Sequence, residues 1–417
     1  MAPLNRRRLL ASSLLGAAAT LPSAVAATLP APELRSSDPD RYWKRIREDM
    51  LYLPGWRSFL NNGSLGLVAR PVLNAVEDYL RKAAALQVNG YPRWGYETLD
   101  EERDEMAGFL GCKKDELAFT HCATESMSMI AAGIDLKAGD EVLITNEEHP
   151  SGREPWLLRA RRDGIQVREV AIPLPPESAA QLADRVLSAI GPRTRVLSFS
   201  GILTNPGTIM PVREICTAAR AKGVLTVVDG AHMNGQIPVD LSTLNCDYYA
   251  GSPHKWMFAP AGCGLLYIRE ENLDRLWPTI VSGNWDNRKL GAARFMQVGT
   301  NNRAIFAGLM AALRFLKALG AEAVYERIHQ LARRTYQLAA ERPWLELFAA
   351  SDPSLYGSLV TVGFRGKDPA PLFRKLNERR IWVYQSPRLR LACHIHTRPE
   401  DLDVFFETVD EVFGKRA

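Results

Sequence analysis

Between about residues 117 and 270 the chain alternates short apolar runs with longer stretches whose apolar positions recur every three to four residues. The runs at 116–120, 141–145, 167–172, 195–200, 224–228, 247–250 and 264–268 predict strands. The stretches at 179–190 and 212–222 predict amphipathic helices. Such alternation predicts an α/β fold with a mostly parallel sheet covered on both faces. Ligands in such sheets bind at the carboxyl ends of the strands. Two long helical patterns follow at 302–319 and 321–341. The last segment predicts strands at 359–364 and 388–393 and helices at 370–380 and 399–413, which make a smaller α+β domain. Residues 28–45 are rich in Pro and Ser and predict an arm. The expected organisation is an arm over 27–60, a large domain over 61–300, and a helical connection with a small domain over 301–417.

The first 26 residues follow a different rule. Arg6, Arg7 and Arg8 precede a small-residue apolar run, and Ala24-Val25-Ala26 fits a small-x-small cleavage site. The expectation is a signal peptide of twin-arginine type, hence export of a folded protein to the periplasm or beyond through the twin-arginine machinery. A general secretory signal, an uncleaved anchor and a plain basic extension of a cytoplasmic enzyme are the competing readings. No later apolar run is long enough to span a bilayer, so no stable membrane anchor is expected.

Composition adds little beyond this. Apolar residues make up 46% and charged residues 24%, as in an ordinary globular protein. Without the leader's three arginines the formal charge falls from +5 to +2. Clustered basic residues are missing, which argues against nucleic acid as a partner. The six cysteines show no zinc spacing, and no metal site is expected. They read as small core residues, with one disulfide conceivable in an exported protein.

Two charged positions change the picture. Asp229 ends the apolar run Val227-Val228-Asp229-Gly230-Ala231-His232, and a carboxylate there must be paired or functional. Lys255 follows another strand in Ser252-Pro253-His254-Lys255-Trp256, 26 residues on. Alone, that lysine reads as a solvated loop residue. The pair suggests a lysine that forms a Schiff base with an aldehyde cofactor, and a carboxylate that keeps the cofactor's ring nitrogen protonated. Lys255 would then also serve as the general base at the substrate α-carbon. Thr120-His121-Cys122-Ala123-Thr124 runs from a strand into a helix, whose free N–H groups suit a phosphate, though a plain N-cap reads equally well. Ser252 and His254 could donate to the same phosphate.

Jointly these residues resemble the class V aminotransferases of pyridoxal-5′-phosphate (PLP) fold type I. Within that class the chain is most similar to the isopenicillin N epimerase-like group. Further matching pieces are Leu60-Asn61-Asn62-Gly63-Ser64-Leu65-Gly66, Glu148-His149-Pro150-Ser151 with Pro155-Trp156, Gly262-Cys263-Gly264, Arg294 to Thr300, and Arg390 ahead of Glu400-Asp401. The resemblance implies PLP as cofactor and Lys255, Asp229 and His149 as catalytic residues, His149 covering the ring face. It implies Ala123, Thr124, His232, Ser252, His254 and Thr300 as further cofactor contacts. His232 would meet the phenolic oxygen, and Thr300 would reach a second subunit, so a homodimer is expected. Arg390 and Asn62 would bind substrate, with Arg388 the competitor for the carboxylate.

Related cysteine desulfurases carry a nucleophilic Cys ahead of the C-terminal arginine, and residues 374–390 contain none. Many relatives also place an Asn after the fifth strand; here Asn205 either substitutes or simply shapes the Asn205-Pro206-Gly207 turn. Tyr91, Trp94 and Tyr96 either line a substrate pocket or fill a domain seam. The expected activity is amino-group transfer on an amino acid or peptide-like amine, with epimerisation or β-elimination as alternatives. Exported class V enzymes that tailor the siderophore pyoverdine are similar in this respect. A PLP-fold protein that binds without catalysis is the reading of another class.

Overall fold

Each of the seven runs forms a strand of one sheet, and in all but the edge strand at 166–170 nearly every residue is buried. The computed structural model describes residues 29–86 and 97–414. The expected leader and Tyr91, Trp94 and Tyr96 lie outside the described residues. In chain order the strands are β1 (Ser58–Phe59), β2 (Leu117–Thr120), β3 (Glu141–Thr145), β4 (Gln166–Val170), β5 (Thr194–Ser200), β6 (Leu225–Asp229), β7 (Tyr248–Gly251), β8 (Gly264–Ile268), β9 (Leu345–Leu347), β10 (Leu359–Phe364), β11 (Ile381–Trp382) and β12 (Leu389–Ala392).

The large sheet has the order β2-β8-β7-β6-β5-β3-β4. All neighbours are parallel except β8, which runs antiparallel to both β2 and β7. The expected mostly parallel α/β sheet is therefore present. Only β4, at the edge, is polar enough to face water along most of its length. Helices Ala123–Gly133, Pro150–Asp163, Ala179–Leu187 and Val212–Ala221 supply the crossovers; Pro150–Asp163 buries Ser151, Gly152, Trp156 and Arg159, and the other three bury an apolar face. Burial of each Val, Ile or Leu in this core contributes about 1.5–3 kcal/mol.

Helices Ala304–Leu319 and Ala321–Ala340 form the expected pair, bent by 80° at Gly320, whose φ of 81° suits glycine. No single described helix is long and apolar enough to cross a membrane. The C-terminal segment forms a small antiparallel sheet, β12-β10-β9, with its own core around Leu376, Leu391, Leu402 and Phe405.

The expected arm is where the structure departs from the sequence reading. Pro39–Met50 is a helix, with Pro39 in its first turn and Asp38 accepting the Arg41 N–H at 3.0 Å. Tyr42, Trp43, Ile46, Arg47 and Met50 lie on its buried face. The amphipathic period was masked by the Pro and Ser around it. Beyond that helix, β1 pairs in parallel with β11, so this part of the N-terminal segment is bound to the C-terminal one.

Candidate active site

The carboxyl ends of β6 and β7 bring the charged residues together. Asp229 is the last residue of β6 and is buried; its Oδ1 accepts the Ala231 N–H at 2.9 Å. On its Oδ2 side lies Gly152, where an added Cβ would sit 3.5 Å away. Lys255 lies in the short helical turn Pro253–Trp256 that follows β7. Its Nζ is 3.0 Å from His232 Nε2. Burial lowers the amine's pKa to about 8, Asp229 opposing the shift and Arg390 adding to it.

His232 is buried, and its Nδ1 accepts the Trp256 indole N–H at 3.2 Å. Burial first, then the charge on Lys255, holds its pKa well below the ordinary histidine value. His149 caps helix Pro150–Asp163: its Nδ1 accepts the Ser151 N–H at 3.1 Å and lies 2.6 Å from Ser151 Oγ. Its ring is otherwise exposed, and with Thr124 it lines a cleft of about 670 Å³. Glu148, one residue earlier, accepts from Thr145 Oγ1 at 2.6 Å, Ser200 Oγ at 2.6 Å and Ser200 N at 3.1 Å. Burial raises its carboxyl to about 7, a shift to which nearby Asp229 adds.

Helix Ala123–Gly133 opens beside this cluster with no side-chain cap on its first turn. Its Ala123 N–H meets Ser252 Oγ at 3.2 Å, so the two expected phosphate contacts adjoin. His254 Nδ1 is buried without a hydrogen-bond partner. A helix N-terminus with no side-chain cap, beside the Ser252 hydroxyl, fits an anionic phosphate. Together with a lysine whose pKa burial lowers to about 8, within reach of the charge on buried Asp229, the residues fit PLP.

The two competing arginines separate cleanly. Arg388 pairs with Glu147 at 3.2 Å and lies over the Phe348 ring at 4.1 Å. Arg390, on β12, is buried and has no carboxylate partner among the described residues. Its Nη1 donates to Thr204 O at 3.0 Å and its Nη2 to Ser64 Oγ at 2.9 Å, while Nε lacks a partner. Tyr384 stacks on it at 4.6 Å. Burial lowers its pKa to about 10. Such a guanidinium is set to receive a carboxylate.

Asn62 faces the protein rather than open space: its amide donates to Lys255 O at 2.6 Å. Thr300 is exposed in the single chain, and no described contact joins it to the cluster. Asn205 is exposed and its carbonyl accepts from Thr361 Oγ1; Gly207, at φ 78°, completes the turn. All six cysteines are unpaired, and Cys393 packs its Sγ 3.6 Å from Thr335 Oγ1. Among the described residues no cluster is composed to hold a metal. The sequence reading left Glu148, Ser64, Thr204, Tyr384 and the role of Trp256 unassigned; for Glu148 the only signal was its place beside His149.

Comparison with known proteins was made against this geometry. The family model described as aminotransferase class-V matches residues 59–388. The isopenicillin N epimerase of Streptomyces clavuligerus is 31% identical over 89% of this chain and 99% of its own. A probable cysteine desulfurase of Methanothermobacter thermautotrophicus is 25% identical over 85% of this chain and 94% of its own. Among solved structures, a C-DES variant with glycine covalently linked to its PLP cofactor superposes with a TM-score of 0.74 at 28% identity, covering 85% of this chain and 96% of that one.

Proposed function

The chain belongs to the aminotransferase class-V family and takes PLP as cofactor, and from that premise we propose that it transfers the amino group of an amine bearing an α-carboxylate. The carrying observation is that a low-pKa amine, Lys255, and a buried guanidinium without a carboxylate partner, Arg390, lie close enough for the charge of one to act on the other. PLP, when bound, supplies an aldehyde for amine exchange and a ring that acidifies the substrate Cα–H bond.

The chain's residues have distinct tasks. Lys255 Nζ would hold the cofactor and serve as general base at the substrate Cα. Asp229 would keep a proton on the ring nitrogen, and His149 would cover a ring face. Ala123, Thr124, Ser252 and His254 would hold the phosphate. Arg390 binds the substrate carboxylate in its fork. Lys255 acting alone as base would return the proton on the face from which it came, which suits amino transfer. Desulfuration is disfavoured, since Cys393 is buried and burial pushes its thiol up to about 12.

Epimerisation is the second reading, favoured by the likeness to the Streptomyces clavuligerus epimerase. The two separate in heavy water. Purified enzyme is incubated with amino acids and peptide-like amines while its visible band is followed. Conversion of the cofactor to its amine form, reversed by a keto acid, is the expected result. Deuterium at Cα with inversion and an unchanged cofactor would favour epimerisation. The basic N-terminal head supports export, and with it a peptide-like substrate outside the cytoplasm. Cell fractionation with N-terminal sequencing should find a periplasmic chain beginning after Ala26; a cytoplasmic full-length chain overturns that part.

A further inference from the structure

His232 has two ring nitrogens, and the structure commits both. The Trp256 indole N–H lies 3.2 Å from Nδ1 and can only donate. Nδ1 must therefore be the unprotonated, accepting nitrogen. The ring is then neutral, and its one proton sits on Nε2. Nε2 lies 3.0 Å from Lys255 Nζ, so the bond between them runs from histidine to lysine. An ammonium has three donors and no acceptor, and cannot receive that proton. Only a free amine can.

Trp256 is itself held in place. It is fully buried. His394 stacks on it at 5.9 Å with planes 19° apart. The His394 Nδ1 accepts the Ile395 N–H at 2.8 Å, which leaves its Nε2–H to donate to the Trp256 carbonyl at 3.1 Å. At Gly235, with φ 85°, an added Cβ would lie 2.6 Å from that same carbonyl. Full burial and the stacked His394 ring hold the indole, on an anchored main chain, with its N–H toward His232.

We propose that Trp256 is a positioning residue: its indole N–H fixes His232 as the Nε2–H tautomer, and His232 thereby holds Lys255 as an accepting, nucleophilic amine. The same Nε2–H is ready to donate to an acceptor atom of the cofactor once Lys255 is engaged. This rests on Lys255 being the residue that carries the cofactor. The charged and titratable groups facing the pair are Asp229 at the end of β6, Arg390 on β12, His149 at its helix cap and His254 beside Lys255. None of them offers His232 Nδ1 a competing proton, since Trp256 already occupies it.

The test is the pH dependence of cofactor capture by apoenzyme. Only the unprotonated amine attacks the aldehyde, so the rate rises with pH, is half-maximal at the amine's pKa and levels above it. Borohydride reduction and peptide mass spectrometry identify the labelled residue. Unaltered apoenzyme should show a midpoint near 8. Trp256→Phe removes the N–H and frees His232 to present an accepting Nε2, which favours the ammonium. Its midpoint should rise by about half to one pH unit. In a His232→Gln background, where no tautomer exists, adding Trp256→Phe should move the midpoint no further. An equal shift in both backgrounds, or no shift in either, overturns the proposal. A readout free of substitution at Trp256 uses 15N-histidine apoenzyme: His232 should carry its proton on Nε2, and a proton on Nδ1 overturns the idea even if the Phe variant fails to fold. A missing Lys255 adduct in unaltered enzyme strikes the parent assignment instead.

Discussion

At the scale of single residues, environment decides what charge does. Arg388 and Arg390 are two positions apart, yet only Arg388 has its Glu147. Arg390→Gln should lower kcat/KM for α-carboxylate substrates roughly 100-fold through KM, the scale of a charge-assisted pair, while Arg388→Gln changes it less than about threefold. Steady-state kinetics on both variants decides; equal losses would remove Arg390 from the site. Glu148 gives a pH prediction. Its folded pKa is raised to about 7 from 4.5, so the folded state binds more protons in that window. Stability is then full below about 4.5 and falls as pH rises through about 7. Allowing for partial exposure, the loss is on the order of 2 kcal/mol. Glu148→Gln, which mimics the protonated acid, should flatten the slope in urea titrations run from pH 4.5 to 8. An unchanged slope would place the proton elsewhere.

At the scale of elements, the site depends on one loop. Residues 60–66 join β1 to the helix Arg70–Leu86 and stitch two sheets together. On one side, Ala392 N donates to Leu60 O at 2.8 Å and Asn62 N donates to Ala392 O at 3.2 Å. On the other, the Asn62 amide reaches Lys255 O, and Gly66 N donates to His254 O at 2.9 Å. At Gly66 an added Cβ would lie 2.2 Å from Lys255 O, so only glycine permits this approach. Gly66→Ala should cost about 2–4 kcal/mol and push Lys255 away from His232. Thermal melts and retention of the visible band on gel filtration measure both, and an unaffected band would show that the loop does not set the lysine. These contacts explain what the sequence could and could not tell. The strands were legible because they are continuous apolar runs, and Asp229 and Lys255 because charges there break the pattern. The amide bond of Asn62 to Lys255 O was out of reach of the sequence, because its motif says nothing of a carbonyl 193 residues away. The arginines were inseparable in sequence because one glutamate, brought near only by folding, distinguishes them. The Pro39–Met50 helix was hidden because its period is short and its neighbours are turn formers.

At the scale of the whole molecule, the cleft stays in register only if the chain's two ends hold together. Asp229 ends a strand of the large sheet and Lys255 sits in the turn that follows another, Arg390 belongs to the small sheet, and the segment between Pro39 and Gly66 crosses from one to the other. Arg47 fastens that crossing. Its buried guanidinium donates to His396 O at 2.5 Å, Arg57 O at 2.8 Å and Pro54 O at 3.3 Å, and lies 3.4 Å from Asp401. Asp401 keeps Arg398 and the Ser58 hydroxyl as further partners, so its charge stays compensated if Arg47 is lost. The carbonyls of His396 and Arg57 would not, whereas Pro54 O keeps the Arg57 N–H at 3.1 Å. Two carbonyls stripped of a donor cost more than the ion pair, and Arg47→Met, which keeps the packing of the stem, should destabilise by about 2–4 kcal/mol. Since PLP binds only the folded cleft, excess cofactor should restore part of that loss. Urea unfolding of apo and reconstituted enzyme measures it. A variant as stable as the parent, or one on which added cofactor has no effect, would mean that Arg390 and Lys255 keep their spacing by some other tie.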